Sequence, residues 1–416
     1  MVLQRIHMAN VISCRVCGNR GLRPFFKIGK QPLANALLKS STWKEPRYPL
    51  NLVWCENCKL VQLDYTVNPK TLFSRYVWVT GTSKTAKDFS EIFYKRLINR
   101  TKRAKSGYVL EVASNDGTFL KPFINNGFEV LGIDPAKNIV DMAMRNGIPT
   151  KCAFWGEKTA KRLLNKNGPA HIIFARNVIA HVADTLDFAK GLALAIDDDG
   201  VVAIEPHYAG VIQKECQYDS IYHEHLCYFT LKPLEYLLHS VGLHVFDITE
   251  SPISGGTIVV YASKKKRKIS SMIKKYRNDE TKHKINSFAA WEKFAETARE
   301  HRKKFLKLLE NVNASKKTVV GWGASARSST LLNFSNIGPE LISQIADKNP
   351  LKHDLYTAGT HIHIDSPENI MRRQPKCVVI LGWNFTREIS AELKKKCNYK
   401  GDILIPLPGT PKLKNI

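Results

Sequence analysis

The sequence has no run of apolar residues near the roughly 20 that a membrane-spanning helix needs, and Met1 to Ser13 lacks the apolar core of a secretory signal. A cytoplasmic protein without a membrane partner is expected. Acidic side chains are scarce: 37 Asp and Glu stand against 63 Lys and Arg, a net charge of +26. Cysteine is also sparse, nine among 416 residues, and four of the nine form two CxxC pairs, which argues against a disulfide framework. The dinucleotide signature GxGxxG is missing, and no internal repeat is evident.

The surplus of positive charge raises the question of nucleic acid, because clustered Lys and Arg bind phosphates. The basic residues are instead spread along the chain. Local runs at Lys264 to Lys268, Arg302 to Lys304 and Lys394 to Lys396 are not interleaved with aromatics. They read as solvated faces that also attract an anionic small substrate.

With 44% hydrophobic and 24% charged residues the chain is globular, and its length calls for two or three domains. Patterning divides it into residues 1–80, 81–263 and 264–416. The first zone holds both CxxC pairs. The second alternates strand-like runs (YVLEVAS, FEVLGID, HIIFARNVI, GVVAIEP, TIVVYAS) with helical segments, which predicts βαβ units and a parallel sheet. The third opens with a long amphipathic helix, in which Phe288, Trp291, Phe294, Ala298, Phe305 and Leu308 share a face. A second α/β unit follows, with strands TVVGWG, LISQIAD, CVVILGW and DILIPL. The expected fold is α/β: an N-terminal zinc-binding domain, a central Rossmann-like domain and a C-terminal Rossmann-like α/β domain.

Cys14 and Cys17, a gap of 37 residues, then Cys55 and Cys58 give the spacing of a closed tetrahedral zinc site. Four thiolates leave no position for water or substrate, so the metal is structural.

Glu111, Ser114, Asn115, Asp116 and Gly117 crowd the turn after YVLEV, and the next strand ends at Asp134, followed by Pro135. Small residues admit a nucleotide cofactor against the backbone, and an acid at the second strand end accepts ribose hydroxyls. NAD satisfies these requirements in part, but without its glycine spacing.

The segment around YDSIYHEHLCYF places Tyr218, Asp219, Tyr222, His223, Glu224, His225 and Tyr228 within eleven positions. His223 and His225 could share a metal only on an extended backbone, and no third ligand is obvious. Proton abstraction beside a ketone is the alternative: it needs a base of near-neutral pKa, which His supplies at about 6.5. A carboxylate would orient that base, and hydroxyls would stabilise an enolate.

The turn EVASNDGTFL resembles the first motif of class I methyltransferases, and FARNVIAHV resembles their fourth. Together with PLAN, YPLNLVWCENCKLVQL, LFSRYVWVTGTS, YDSIYHEHLCYFT, SGGT, GWGASARSST and ADKNPLKHDLYTAGTHI, these motifs resemble the S-adenosylmethionine-dependent sugar C-methyltransferases over nearly the whole chain. Within that family the resemblance extends to the enzymes acting at carbon 3 of thymidine diphosphate 4-keto-6-deoxy sugars.

The resemblance implies His225 as base, with Glu224, Tyr222, Tyr76 and His181 in the same pocket. It places S-adenosylmethionine against Glu111, Ala113, Ser114, Asn115, Asp116, Asp134, Pro135 and Asn177. The C-terminal unit would hold the nucleotide diphosphate through Gly323, Ser325, Ala326 and Arg327, with Asp347 and Lys348 nearby. Three positions depart from the family: Arg327 stands where a lysine is usual, Ser254 where a histidine is, and Ala113 where a glycine is.

An RNA methyltransferase using the basic surface, or a non-catalytic module that keeps the cofactor fold, are the alternatives. No self-complementary apolar patch is visible, so a monomer is expected.

Overall fold

A computed structural model describes residues 9–73, 79–101, 107–315 and 318–416. Two compact units form, each assembled from separated stretches. The first combines the described residues up to Arg23 with Val53–Ala209 and Leu226–Ser287; the second combines Pro24–Leu52, Gly210–His225 and Phe288–Ile416.

The first unit is built on strands β1 (Val109–Val112), β2 (Val130–Asp134), β3 (Thr150–Cys152), β4 (Ala170–Arg176), β5 (Ile196–Glu205), β6 (His244–Ser251) and β7 (Thr257–Ser263). Their order across the sheet is β6-β7-β5-β4-β1-β2-β3. β1 to β5 pair in parallel, whereas β7 runs antiparallel between β5 and β6, so the expected all-parallel sheet carries one reversed strand. The apolar runs of β1, β4 and β5 are buried throughout because helices cover both faces of a parallel sheet. Helix α1 (Lys84–Ile98) is capped by the Ser83 hydroxyl, which accepts from the Ala86 amide. It places Phe89, Phe93 and Leu97 against Phe119, Phe123 and Phe174.

The second unit carries β8 (Val319–Trp322), β9 (Gln344–Ala346), β10 (His363–Asp365), β11 (Cys377–Ile380), β12 (Asp402–Ile405) and β13 (Lys412–Asn415). Their order is β10-β9-β8-β11-β12-β13, the doubly wound order of dinucleotide folds with a reversed last strand. The long helix predicted from periodicity is α2 (Phe288–Ala314), burying Trp291, Phe294, Ala298, Phe305 and, in place of Leu308, Leu309. Helix α3 (Ala326–Ser335) follows β8.

Residues of the first zone contribute to this second core. Phe26 meets the rings of Phe294 and Phe334 edge-on at 5.9 and 5.6 Å. Leu38 exchanges backbone hydrogen bonds with Tyr356 at 2.9 and 2.8 Å.

Among the described residues no helix is long and apolar enough to cross a membrane.

Candidate functional sites in the two units

In the first unit the strand order reverses between β1 and β4, and ligands of open α/β sheets bind outside the carboxyl ends at such a point. Glu111, Ser114, Asp134 and Asn177 all lie there. Asp134 secures the turn: its Oδ2 accepts the Asn115 amide at 3.0 Å and its Oδ1 the Ala136 amide at 2.9 Å. Burial raises its pKa, and those two amides oppose the rise. Pro135 follows, its carbonyl accepting the Cys152 thiol at 3.6 Å.

Ala113, Asn115 and Asn177 take positive φ of 57°, 50° and 50°. For Ala113 this is a strained position where glycine would be cheaper by about 1 kcal/mol. The turn is therefore a built feature rather than a generic loop.

Two partners 35 residues distant in sequence also hold the turn. The Thr80 amide donates to Asn115 Oδ1 at 2.8 Å and the Gly81 amide to Asp116 Oδ2 at 2.9 Å, so residues 80–81 lie directly on the turn. A Cβ at Gly81 would lie 2.4 Å from Asp116 Oδ2, so any side chain there would have to displace that carboxylate.

The chemistry of this edge fits S-adenosylmethionine. Glu111 and Ser114 are both only 3% exposed, and Glu111 Oε2 and Ser114 Oγ have no hydrogen-bond partner among the described residues. Burial drives the Glu111 carboxyl well above the usual range, with Arg176 opposing. An ammonium brought by an amino-acid-bearing ligand would supply a counter-charge to this buried carboxyl. Arg176 does not supply it in full. Its Nε is bound 2.6 Å from Glu205 Oε2, and Glu205 also accepts the Ser251 and Thr257 hydroxyls.

His181 ends a 3₁₀ turn (Ile179–His181) and meets the Phe73 ring edge-on at 5.7 Å. Tyr76 lies outside the described residues.

The metal site also lies in this unit. The sulfurs of Cys14, Cys17, Cys55 and Cys58 all fall within 4.8 Å of one another, with Cys14 to Cys58 at 3.4 Å and Cys17 to Cys55 at 3.5 Å. A zinc tetrahedron with bonds near 2.3 Å has edges of about 3.8 Å. Each CxxC closes on a residue at φ 69°, Gly18 and Lys59, whose amides return to the Cys14 and Cys55 carbonyls at 2.9 and 3.1 Å. Sulfur-to-sulfur hydrogen bonding pulls the Cys55 thiol down and pushes Cys14 and Cys58 up, a competition that a dication relieves.

The YHEH loop belongs to the second unit. His225 Nδ1 lies 2.8 Å from the Ser220 carbonyl, which accepts only, so Nδ1 carries the proton and Nε2 the lone pair. The Tyr222 hydroxyl donates to that Nε2 at 2.7 Å, with ring centroids 4.0 Å apart. His223 is different: its Nε2 faces the Tyr48 and Pro49 carbonyls, its Nδ1 is buried without a hydrogen-bond partner among the described residues, and burial lowers its pKa. It is a packed structural histidine. Glu224 accepts Asn35 Nδ2 at 2.6 Å, and burial pushes its carboxyl up to about 7.

That shift has a measurable sign. The folded carboxyl holds a proton between pH 4.5 and about 7 that the unfolded chain has released, so stability is lost as pH rises through this window. Glu224→Gln should unfold at the wild-type temperature near pH 4.5. By pH 8 it should be more stable than wild type by about 3 kcal/mol. Thermal scans across pH check this, and a difference that does not vary with pH would contradict it.

At the C-terminal switch point, between β8 and β11, Asp347 repeats the Asp134 arrangement: Oδ2 accepts the Ala324 amide at 2.8 Å and Oδ1 the Asn349 amide at 2.9 Å. Lys352 neutralises it at 3.2 Å. Ser325 caps α3 reciprocally with Ser328. Gly323, at φ 101°, lies so near the Gly382 amide that a Cβ would approach it to 3.1 Å. Lys348 pairs with Glu392. Arg327, which the sequence offered to a phosphate, forks onto Asp219, with Nε and Nη2 both at 2.9 Å.

Part of the basic surface is also committed. Lys264 and Lys265 pair with Asp198 and Asp199, and Arg267 donates to the Arg100 and Asp199 carbonyls at 2.7 and 2.8 Å.

Three family descriptions match successive stretches: a zinc binding domain at residues 14–73, a methyltransferase domain at 87–248 and a C-methyltransferase C-terminal domain at 252–408. The chain is 29% identical over 399 residues to the C-methyltransferase NovU of Streptomyces niveus, covering 95% of each. Solved structures resemble it in part. The magnesium protoporphyrin IX methyltransferase of Synechocystis covers 43% of this chain and 79% of its own (11% identity, TM-score 0.33). A methyltransferase of Archaeoglobus fulgidus covers 42% and 93% (12% identity, TM-score 0.35).

Proposed function

Since the chain belongs to the S-adenosylmethionine-dependent C-methyltransferases, we propose that it methylates carbon 3 of a nucleotide-linked 4-keto-6-deoxy sugar, with thymidine diphosphate as the carrier. The observation that carries this reading is the state of His225, an imidazole whose Nδ1–H is tied to a carbonyl and whose Nε2 keeps its lone pair. A nitrogen or oxygen acceptor already has a lone pair and needs less. A carbon acceptor needs a base, and acidity beside a ketone puts the required pKa within reach of imidazole.

In this reading Nε2 takes the proton from the carbon next to the ketone, and the bonding pair moves onto the ketone oxygen as an enolate. Tyr222, displaced from Nε2, then has its hydroxyl available to that oxygen. Glu111, Ser114 and Asp134 would hold S-adenosylmethionine, which supplies an electrophilic methyl group when bound. Gly323, Ser325 and Ala326 at the start of α3 would receive the diphosphate, which the positive charge of the chain attracts.

The test is incubation with a panel of nucleotide-linked 4-ketosugars and a methyl-labelled cofactor, read by mass and by carbon NMR. One methyl on the carbon beside the ketone is expected. Label on oxygen, on nitrogen or on added RNA would overturn the reading.

A further inference from the structure

Asp219 is a buried, multiply bound acid of the second unit that takes no part in the proposed proton transfer. It is fully buried in a 3₁₀ turn (Tyr218–Ser220), yet it receives three N–H donors. Arg327 donates from Nε to Oδ2 and from Nη2 to Oδ1, and the Trp383 indole donates to Oδ2 at 2.7 Å. The guanidinium also reaches Gln217 Oε1 at 3.1 Å and lies over the Trp383 ring, 4.6 Å from its centroid.

The two donors come from rigid places. Arg327 is in the first turn of α3, after β8, and Trp383 follows β11, so they flank the point where the C-terminal strand order reverses. In a dinucleotide fold this crevice receives a ligand's phosphate. Here a carboxylate of the same chain engages the guanidinium. A second tie, from Thr330 Oγ1 on α3 to the Ile221 carbonyl at 2.7 Å, fastens the same loop two residues on.

Between those two ties lies Ser220, whose carbonyl accepts the His225 Nδ1 proton. We propose that Arg327 and Trp383 are positioning residues for His225: through Asp219 they hold the Ser220 carbonyl in place, and that carbonyl sets the imidazole's tautomer and aim. An acid, a fork and an indole are more than packing needs, since breaking a buried pair strands a charge. Arginine suits the task because both carboxylate oxygens are taken at once, which a lysine cannot do.

The inference rests on the reading of His225 as base, and its test separates the two. Asp219→Asn, Trp383→Phe and Arg327→Lys are compared with wild type by nitrogen-15 NMR of histidine-labelled protein, in which His225→Asn assigns the resonance. Wild type should show a single Nδ1–H tautomer, and the three variants a mixed population. This readout needs no turnover, so it stands even if no ketosugar is accepted.

Where a ketosugar is turned over, kcat should fall roughly 100-fold in Asp219→Asn, the cost expected of a misplaced catalytic group. The KM for sugar nucleotide and the Kd for thymidine diphosphate should stay within about twofold, because positioning rather than uniform binding is lost. An unchanged tautomer in all three variants would overturn the proposal. So would Arg327→Lys weakening thymidine diphosphate about tenfold at constant kcat, since one unit of phosphate pairing is worth about that much. Trp383→Phe removes the indole N–H while leaving an aromatic ring at that position, so it reports even if Asp219→Asn does not fold.

Discussion

His225→Asn should lower kcat by roughly 1,000-fold while leaving the fold and cofactor affinity close to wild type. The substitution is chosen for its geometry. Asparagine places its Nδ2 near the position of imidazole Nδ1 and can still donate to the Ser220 carbonyl, so the loop keeps the tie seen at 2.8 Å. What disappears is the Nε2 lone pair that faces the Tyr222 hydroxyl. The same variant should abolish hydrogen-for-deuterium exchange at the carbon beside the ketone, measured without cofactor, because that exchange isolates proton removal from methyl transfer. His223→Asn is the internal control. Its ring serves the Tyr48 and Pro49 carbonyls, so it should cost stability and not chemistry. The competing base is Glu224, whose carboxyl burial pushes to about 7, within the range for this task. If His225→Asn turned over normally and Glu224→Gln did not, the base would be Glu224.

These sites differ in how far they were visible beforehand. The zinc quartet could be read because CxxC spacing is local and cysteine chemistry is specific. The position of Asp134 could be read because the run FEVLGID ends on it, and the structure ends that strand at the same residue. The partner of Glu224 could not: Asn35 lies 189 positions away, and nothing in an exposed asparagine names its acceptor. Nor could the target of Arg327, since a basic residue at a helix start is equally suited to a phosphate or to a carboxylate of its own chain. Phe26 posed the same difficulty. Its alternation marks a strand with a buried face, but apolar periodicity does not say which core receives it, and it packs on α2 and α3. The positive φ of Ala113 was signalled only by the resemblance, which places a glycine there, because the alanine itself does not name its backbone conformation.

Removing zinc should cost the first unit at least 10 °C in melting temperature and weaken S-adenosylmethionine binding, although the four zinc cysteines are not among the residues proposed to hold the cofactor. Metal affinity in such sites is folding free energy, on the order of 10 kcal/mol, comparable with the whole stability of a domain. The route by which its loss spreads can be traced. Arg15, inside the first CxxC, donates its amide to Gln62 Oε1 at 2.8 Å, and its guanidinium to the Thr66 hydroxyl at 2.8 Å and the Ala183 carbonyl at 3.3 Å. Its carbonyl accepts the Thr185 hydroxyl at 2.5 Å. The knuckle thus grips the stretch just after His181, at Ala183 and Thr185, while just before His181 the Ala180 carbonyl accepts the Leu226 amide at 2.7 Å. With the metal gone, four clustered thiols, three of them buried, oppose any shared ionisation and Arg15 loses its frame. Cys55→Ser, or chelation followed by metal analysis, should therefore show one zinc lost per chain, a lower melting temperature and a higher dissociation constant for the cofactor together. Zinc loss with melting temperature and cofactor affinity both unchanged would mean that the hydrogen bonds of Arg15 hold this region without the metal.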